Sequence, residues 1–81
     1  MIQVTRPISI GDKIRIARML RKMSQIELAR QTGLSQFIIS FIETNRALPT
    51  DEQLIRIREA LAWTPEMDEI IERLAALPAQ Q

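Results

Sequence analysis

The sequence contains no cysteine, no histidine and no tyrosine among its 81 residues. The absence of cysteine excludes a disulfide and thiol chemistry, and the absence of both cysteine and histidine argues against a metal site. No apolar run approaches the length of a membrane span or a signal segment, which predicts a cytoplasmic protein with no membrane contact. With no histidine, cysteine or glycine-rich phosphate loop, we expect no cofactor and no enzymatic activity.

The residues that are abundant favour a small helical domain. Apolar residues make up 46% of the chain, whereas there are only two glycines and three aromatic residues (two Phe and one Trp). Charge is unevenly distributed, because residues 1–46 carry a net charge of +5 and residues 47–81 a net charge of −4. This asymmetry suggests one face for phosphate groups and another kept away from them, although an ordinary solvated surface would also account for it.

The most informative stretch is 24–43, which predicts two short helices joined by a tight turn. Ser24 can cap the first helix, with Glu27 completing a capping box. Gly33 can adopt the positive φ of a helix end, and Ser35 can cap the second helix. Ile39 and Ile42 are the apolar residues of the second helix that we expect to face the first helix. Helices joined this closely cross steeply, so the start of the second could enter a major groove of DNA.

This stretch resembles the Cro/repressor (Xre-type) helix-turn-helix family, and the likeness runs from about Ile10 to Trp63. The residues that carry it are Gln25, Leu28, Ala29, Gly33, Ile39, Ser40, Ile42, Glu43, Arg46 and Pro49. The resemblance implies an all-α, compact five-helix bundle, a lambda-repressor-like DNA-binding domain. It also implies a regulator that binds double-stranded DNA, expected to be a repressor acting as a homodimer.

On the second helix, the face opposite the buried isoleucines predicts the base-reading residues Gln36, Phe37, Ser40 and Phe41. Gln36 can pair with adenine N6 and N7. The two phenylalanines depart from the family, which mostly has polar residues there. They either pack on thymine methyl groups, the interpretation we prefer, or contact a protein partner. In the second case the chain would be a protein-interaction module or an antitoxin-like autoregulator.

The predicted phosphate contacts are Gln25, Ser35, Asn45 and Arg46. Gln25 begins a helix, where free N–H groups and the helix dipole favour an anion, and the family has a phosphate-contacting glutamine there. Asn45 replaces the glycine usual in the family, and asparagine tolerates the left-handed backbone needed there. The resemblance further implies an ion pair between Arg18 and Glu43, which would dock the first helix of the chain on the recognition helix.

The remaining segments are assigned by their caps and periodicity. Residues 1–8 are expected to form an extended arm. This arm is either a frayed terminus, a strand that stabilises a dimer, or a segment from which Arg6 contacts a phosphate. The helix-turn-helix domain covers 9–77, with Ser9 and Thr50 as further helix caps, and 78–81 is a tail. A last helix at 65–77 either completes the core or forms a dimer interface. The candidate interface residues are Ile55, Met67, Ile70, Ile71 and Leu74.

Overall fold

The computed structural model describes residues 8–76, which form five α-helices and no strand. The helices are α1 (Ile10–Leu20), α2 (Gln25–Thr32), α3 (Gln36–Glu43), α4 (Asp51–Ala60) and α5 (Pro65–Ala76). The predicted all-α five-helix architecture is therefore confirmed. The tail at 78–81 and all of the predicted arm except Ile8 lie outside the described residues, so the alternatives for them and the domain boundaries stay predictions.

Side-chain caps explain where all five helices begin. Ser9, Ser24, Ser35, Thr50 and Thr64 each accept a hydrogen bond from the backbone N–H three residues on, at 3.0–3.2 Å. Thr50 forms a full capping box, because Gln53 Oε1 accepts the Thr50 N–H in return. The box predicted for Ser24 is only half formed.

Glu27 supplies the physical reason for the missing half. Its carboxylate accepts hydrogen bonds from Arg30 and Gln31, one turn further along α2, instead of reaching back to the Ser24 N–H. The serine half alone still satisfies one of the free N–H groups at the start of α2.

The turn between α2 and α3 depends on Gly33, which has a φ of +75° and ends α2 as predicted. Asn45, after α3, has a φ of 63°, so asparagine does occupy the left-handed conformation. Two further residues adopt positive φ without being glycine or asparagine, Lys22 (55°) after α1 and Ala62 (48°) after α4. A positive φ is less favourable for a residue with a Cβ than for glycine, so each of these two positions costs conformational free energy.

One apolar core holds the five helices together. α1 packs on α3 and α5, while α2 packs on α3 and α4. The largest fully buried side chains are Ile14, Leu28, Ile39, Ile42, Ile57, Leu61 and Ile71. Leu20, the last residue of α1, is exposed. α3 is thus backed on its inner side by α1 and α2.

α5 divides its apolar residues between core and solvent, which corrects part of the predicted dimer interface. Met67 and Ile71 are buried in the core of the subunit, so they cannot meet a partner in a folded dimer. Ile70 and Leu74 are 48% and 43% exposed and remain candidates. Trp63, between α4 and α5, packs on the edge of the core and donates its indole N–H to Asp68 Oδ1 at 3.2 Å.

Candidate nucleic-acid interface

α3 has a buried face and an exposed face. Ile39 and Ile42 are buried in the core, which fixes the rotation of the helix about its axis. Phe37 is 77% exposed and Phe41 45% exposed, and Gln36 is also exposed. Large apolar side chains in water are costly, and a contiguous exposed group of them usually marks an interaction surface. The outward face of α3 is therefore a surface built for contact.

Four side chains of α2 and α3 line one shallow cleft. They are Gln25, Gln36, Phe37 and Ser40. Three of the four predicted base-reading residues therefore meet at one place, and Gln25 joins them there. Phe41 does not line this cleft. The cleft combines two carboxamides, a hydroxyl and an aromatic ring, a set that can exchange hydrogen bonds and make apolar contact at once.

A buried polar network holds α3 to α1 through its last residue. Arg18 donates to both carboxylate oxygens of Glu43, from Nε at 2.7 Å and from Nη2 at 3.0 Å. The remaining guanidinium nitrogen, Nη1, donates to the Met23 carbonyl at 2.8 Å. Glu43 is 4% exposed, and the two-pronged geometry satisfies it without water. The family resemblance implied this pair, but the Met23 contact had no signal in the sequence.

Gln25 connects this network to the cleft. Its Nε2 donates to Glu43 Oε1 at 3.1 Å, an oxygen that Arg18 also uses. One amide hydrogen is therefore committed inside the protein, and the other remains for a ligand. The backbone N–H of Gln25 lies in the first turn of α2, where helical N–H groups lack an intrahelical acceptor. The residue can still serve a phosphate, with fewer donors than the sequence suggested.

The other predicted phosphate contacts lie at the edges of α3. The Ser35 hydroxyl oxygen accepts the Ile38 N–H at 3.2 Å, which leaves its own hydrogen to donate. Asn45 and Arg46 are exposed in the loop after α3. Arg46 forms no ion pair with any of residues 8–76. It is a cation available for an external anion.

The division of charge along the sequence only partly becomes a division of surface. Arg18 is used in the buried network, Lys13 pairs with Glu72 of α5, and Arg21 donates to the carbonyls of Leu61 and Ala62, both at 2.7 Å. These cations hold helices together, so the basic half offers fewer charges to phosphates than its composition implied. Arg21 in particular stabilises the carbonyl end of α4, where cations are favoured.

Gly11 is a structural requirement that the sequence analysis missed. A Cβ built on this residue would overlap the carbonyl oxygen of Ile42 and lie 2.7 Å from Asn45 Oδ1. The absence of a side chain therefore lets α1 approach the end of α3. A glycine in the first turn of an otherwise regular helix was the available signal, because glycine disfavours helix and needs a packing reason there.

Residues 8–76 contain neither a metal-binding cluster nor a membrane-spanning helix. No group of carboxylates, cysteines or histidines among residues 8–76 is arranged to hold a metal ion. None of the five described helices combines the length and apolar character needed to cross a bilayer.

Five helices with a tight turn between the second and third, and an exposed face on the third, define a helix-turn-helix protein. A helix-turn-helix family model (HTH_3) matches residues 14–66, well over half of the chain. The chain belongs to this family, the Cro/repressor (Xre-type) group that its motif resembles.

A solved structure supports the same fold. The chain is similar to the NMR structure of the DNA-binding domain of the P22 C2 repressor, with a TM-score of 0.69 and 24% identity over 96% of each chain. At this identity the likeness establishes the fold. A search of curated proteins gave no significant match.

Proposed function

We propose that this protein is a sequence-specific regulator of transcription that binds double-stranded DNA by placing α3 in the major groove. The observation that carries the proposal is the cleft at the start of α2 and α3, exposed on a helix whose opposite face is locked into the core. Membership in the helix-turn-helix family and the repressor-like fold support the broader assignment as a DNA-binding regulator.

The cleft offers chemistry suited to an A·T-containing site. Gln36 can donate to adenine N7 and accept from N6, and Ser40 can donate or accept. Phe37 provides an apolar surface for the C5-methyl group of thymine, the one apolar mark in the major groove. Phe41, one turn along and outside the cleft, would contact the flank of the groove. Sequence reading therefore depends on Phe37 more than on Phe41.

Phosphate contacts would orient the domain on the duplex. The start of α2, the Ser35 hydroxyl and Arg46 can each donate to a phosphate oxygen. Because Lys13, Arg18 and Arg21 are held in contacts within the domain, we expect a shallower salt dependence than the number of basic residues implies.

We further propose that the protein acts as a homodimer and represses by occupying its operator. Two copies related by a two-fold axis would present their α3 helices to half-sites about one helical turn, or about 34 Å, apart. A palindromic operator follows from that symmetry.

Selection of bound duplexes from a random pool, followed by fluorescence anisotropy on the selected site, tests the proposal. We expect a palindrome containing A·T pairs and affinity well above that for random duplex. Replacing thymine by uracil at the Phe37 contact removes a methyl group worth about 0.8 kcal/mol. Phe37→Ala should cost at least about tenfold in affinity over two half-sites.

The control is Met19→Ala, which removes an exposed apolar side chain from α1 and should leave affinity unchanged. If wild-type protein shows no preference for any selected duplex, sequence-specific regulation is excluded.

One observation favours a second candidate, a protein-interaction module or antitoxin-like autoregulator. Phe37, Ile38 and Phe41 are all exposed on a single short helix, more apolar surface than base reading requires. A protein that binds no duplex at low salt, and that loses a purified partner on Phe41→Ala, would support this alternative.

A further inference from the structure

α4 carries an exposed surface that the DNA interface does not use. Asp51, Ile55 and Arg58 follow one another at i, i+4 and i+7, so they lie along one side of the helix. We call this side the α4 face. Ile55 is 59% exposed at its centre, and the three residues together with Leu54 line a shallow depression. An exposed isoleucine in a depression between two charges is an arrangement suited to a partner.

Both charges of the α4 face lack an ion-pair partner among residues 8–76. On the neighbouring side of the same helix, Glu52 and Arg56 pair with each other at 2.7 Å. Asp51 and Arg58 form no such contact. The Arg58 guanidinium instead lies over the Trp63 ring, 5.2 Å from its centroid, which holds the charge at the edge of the face.

The α4 face is complementary to itself. Asp51 and Arg58 are seven residues apart, about 10 Å along the helix, and Ile55 lies close to the midpoint. A second α4 laid antiparallel across a two-fold axis would bring each Asp51 opposite the partner's Arg58. The two copies of Ile55 would then meet near the axis. Two-fold interfaces require this kind of self-complementarity.

We propose that two copies of this chain associate through antiparallel α4 faces, with two Asp51–Arg58 pairs flanking a contact between the two Ile55 side chains. This inference deepens the dimer part of the proposed function by naming its surface. It does not depend on which duplex the protein reads.

α5 is the competing surface, and its charges argue against it. Ile70 and Leu74 are exposed there, but Met67 and Ile71 are buried and unavailable. The exposed pair has both Glu66 and Glu69 within one turn and a single cation, Arg73, on the same side. A two-fold copy would bring an excess of carboxylates together. On α4, Glu59 is also exposed within one turn of Ile55, but Asp51 and Arg58 would each meet the opposite charge of the second copy.

The contact is small, so the dimer should be weak in solution. A single pair of short helices buries less than the roughly 1,200 Å² of a standard stable interface. We therefore expect association at high micromolar protein, strengthened when two half-sites on one duplex hold the copies together.

Charge reversal tests the pairing, with sedimentation velocity as the readout. Asp51→Lys and Arg58→Glu each place like charges opposite one another twice per dimer, and each should raise the dimer dissociation constant at least about tenfold. The double variant reverses both charges, restores the pairs and should return the constant to within about threefold of wild type. Arg73→Glu on α5 is the matched control and should have no effect.

Circular dichroism verifies that each variant is folded. If a reversal unfolds the chain, Ile55→Ser and Arg58→Gln serve instead, and each should still weaken the dimer. The inference is overturned by a monomeric wild type, by reversals without effect, by a folded double variant that fails to regain association, or by dissociation on Arg73→Glu. Band shifts on the selected operator are measured in parallel. Specific binding with an unaltered dimer would refute the α4 face alone, whereas absence of any specific binding would refute the proposed function alone.

Discussion

Replacing Gly11 by alanine should loosen the joint between α1 and the end of α3. The added Cβ would overlap the Ile42 carbonyl oxygen and lie 3.2 Å from its carbonyl carbon and 2.7 Å from Asn45 Oδ1. Ordinary carbon contacts begin at about 3.5 Å. The atoms in the way are mostly backbone, at a carbonyl that accepts the Asn45 N–H at 3.2 Å. The helices must therefore move apart, because the nearest atom, the Ile42 carbonyl oxygen, belongs to the backbone and cannot rotate away as a side chain could.

The net effect follows from two opposing terms. Alanine is a better helix former than glycine, by roughly 0.5–1 kcal/mol. Overpacking a well-filled contact costs about 1–3 kcal/mol, and a backbone clash belongs near the upper end. We expect Gly11→Ala to lower the free energy of unfolding by about 2 kcal/mol, which corresponds to a fall in Tm of about 8–16 °C.

Gly33 provides a matched control that fails for a different reason. A Cβ there would meet only Arg56 Nη1, at 4.0 Å, but the φ of +75° is unfavourable for alanine. Gly33→Ala should cost about 1 kcal/mol, and Gly33→Asn less, because asparagine tolerates the left-handed region. Gly11→Asn, in contrast, should be at least as harmful as Gly11→Ala.

Urea unfolding measures all four variants, since the only tryptophan, Trp63, is half-buried and reports loss of tertiary structure by fluorescence. Circular dichroism on the same samples reports helix content. An unchanged or higher unfolding free energy for Gly11→Ala would show that α1 does not approach the Ile42 carbonyl as described. Equal behaviour of asparagine at the two positions would likewise contradict the reasoning.

Further predictions concern backbone strain, the buried pair and salt. Lys22→Gly and Ala62→Gly should each stabilise the fold by about 0.5–1 kcal/mol in urea unfolding, because they release a positive φ, and no gain would disprove stored strain there. A double-mutant cycle on Arg18→Met and Glu43→Gln should give a coupling energy of at least about 1 kcal/mol, and additive effects would argue against an energetic pair. Arg46→Ala should reduce the slope of log K against log salt by about 1.8 for a dimer on its operator, whereas an unchanged slope would remove Arg46 from the phosphate contacts.

Most of the fold could be predicted from sequence features that act over a few residues. Each helix start was marked by a serine or threonine followed by the right spacing, and each core stripe by the helical period. Glycine at the end of α2 and asparagine after α3 marked the two predicted left-handed turns. These features act within a few residues of the chain, so sequence alone contains them. Which apolar residues of α5 are buried was harder to predict. Periodicity shows that an apolar stripe exists, but it does not show how much of that stripe the neighbouring helices cover.

The candidate site was harder to predict because its geometry is not local. The grouping of Gln36, Phe37 and Ser40 follows from helical spacing. The presence of Gln25 in the same cleft depends instead on how α2 crosses α3. Committing one Gln25 amide hydrogen to Glu43 also required knowing where the ion pair sits. Similarly, the net charge of a sequence region could not show that Arg21 donates to the Leu61 and Ala62 carbonyls. This arginine therefore stabilises the fold and is not free to bind a phosphate.

The shape of α3, the proposed reading helix, is imposed by its neighbours, so DNA recognition and fold stability would be coupled. α3 has eight residues, far fewer than the roughly 12–15 at which an isolated helix becomes even marginally stable in water. Its conformation must come from the buried isoleucines, from the Ser35 cap and from Glu43, which α1 holds through Arg18. Because Gln25 bonds the same carboxylate, a change on α1 alters both the pose of α3 and the orientation of a cleft residue. Arg18 is not one of the proposed base-reading residues, yet substitutions there should change which duplexes are preferred as well as how tightly they bind.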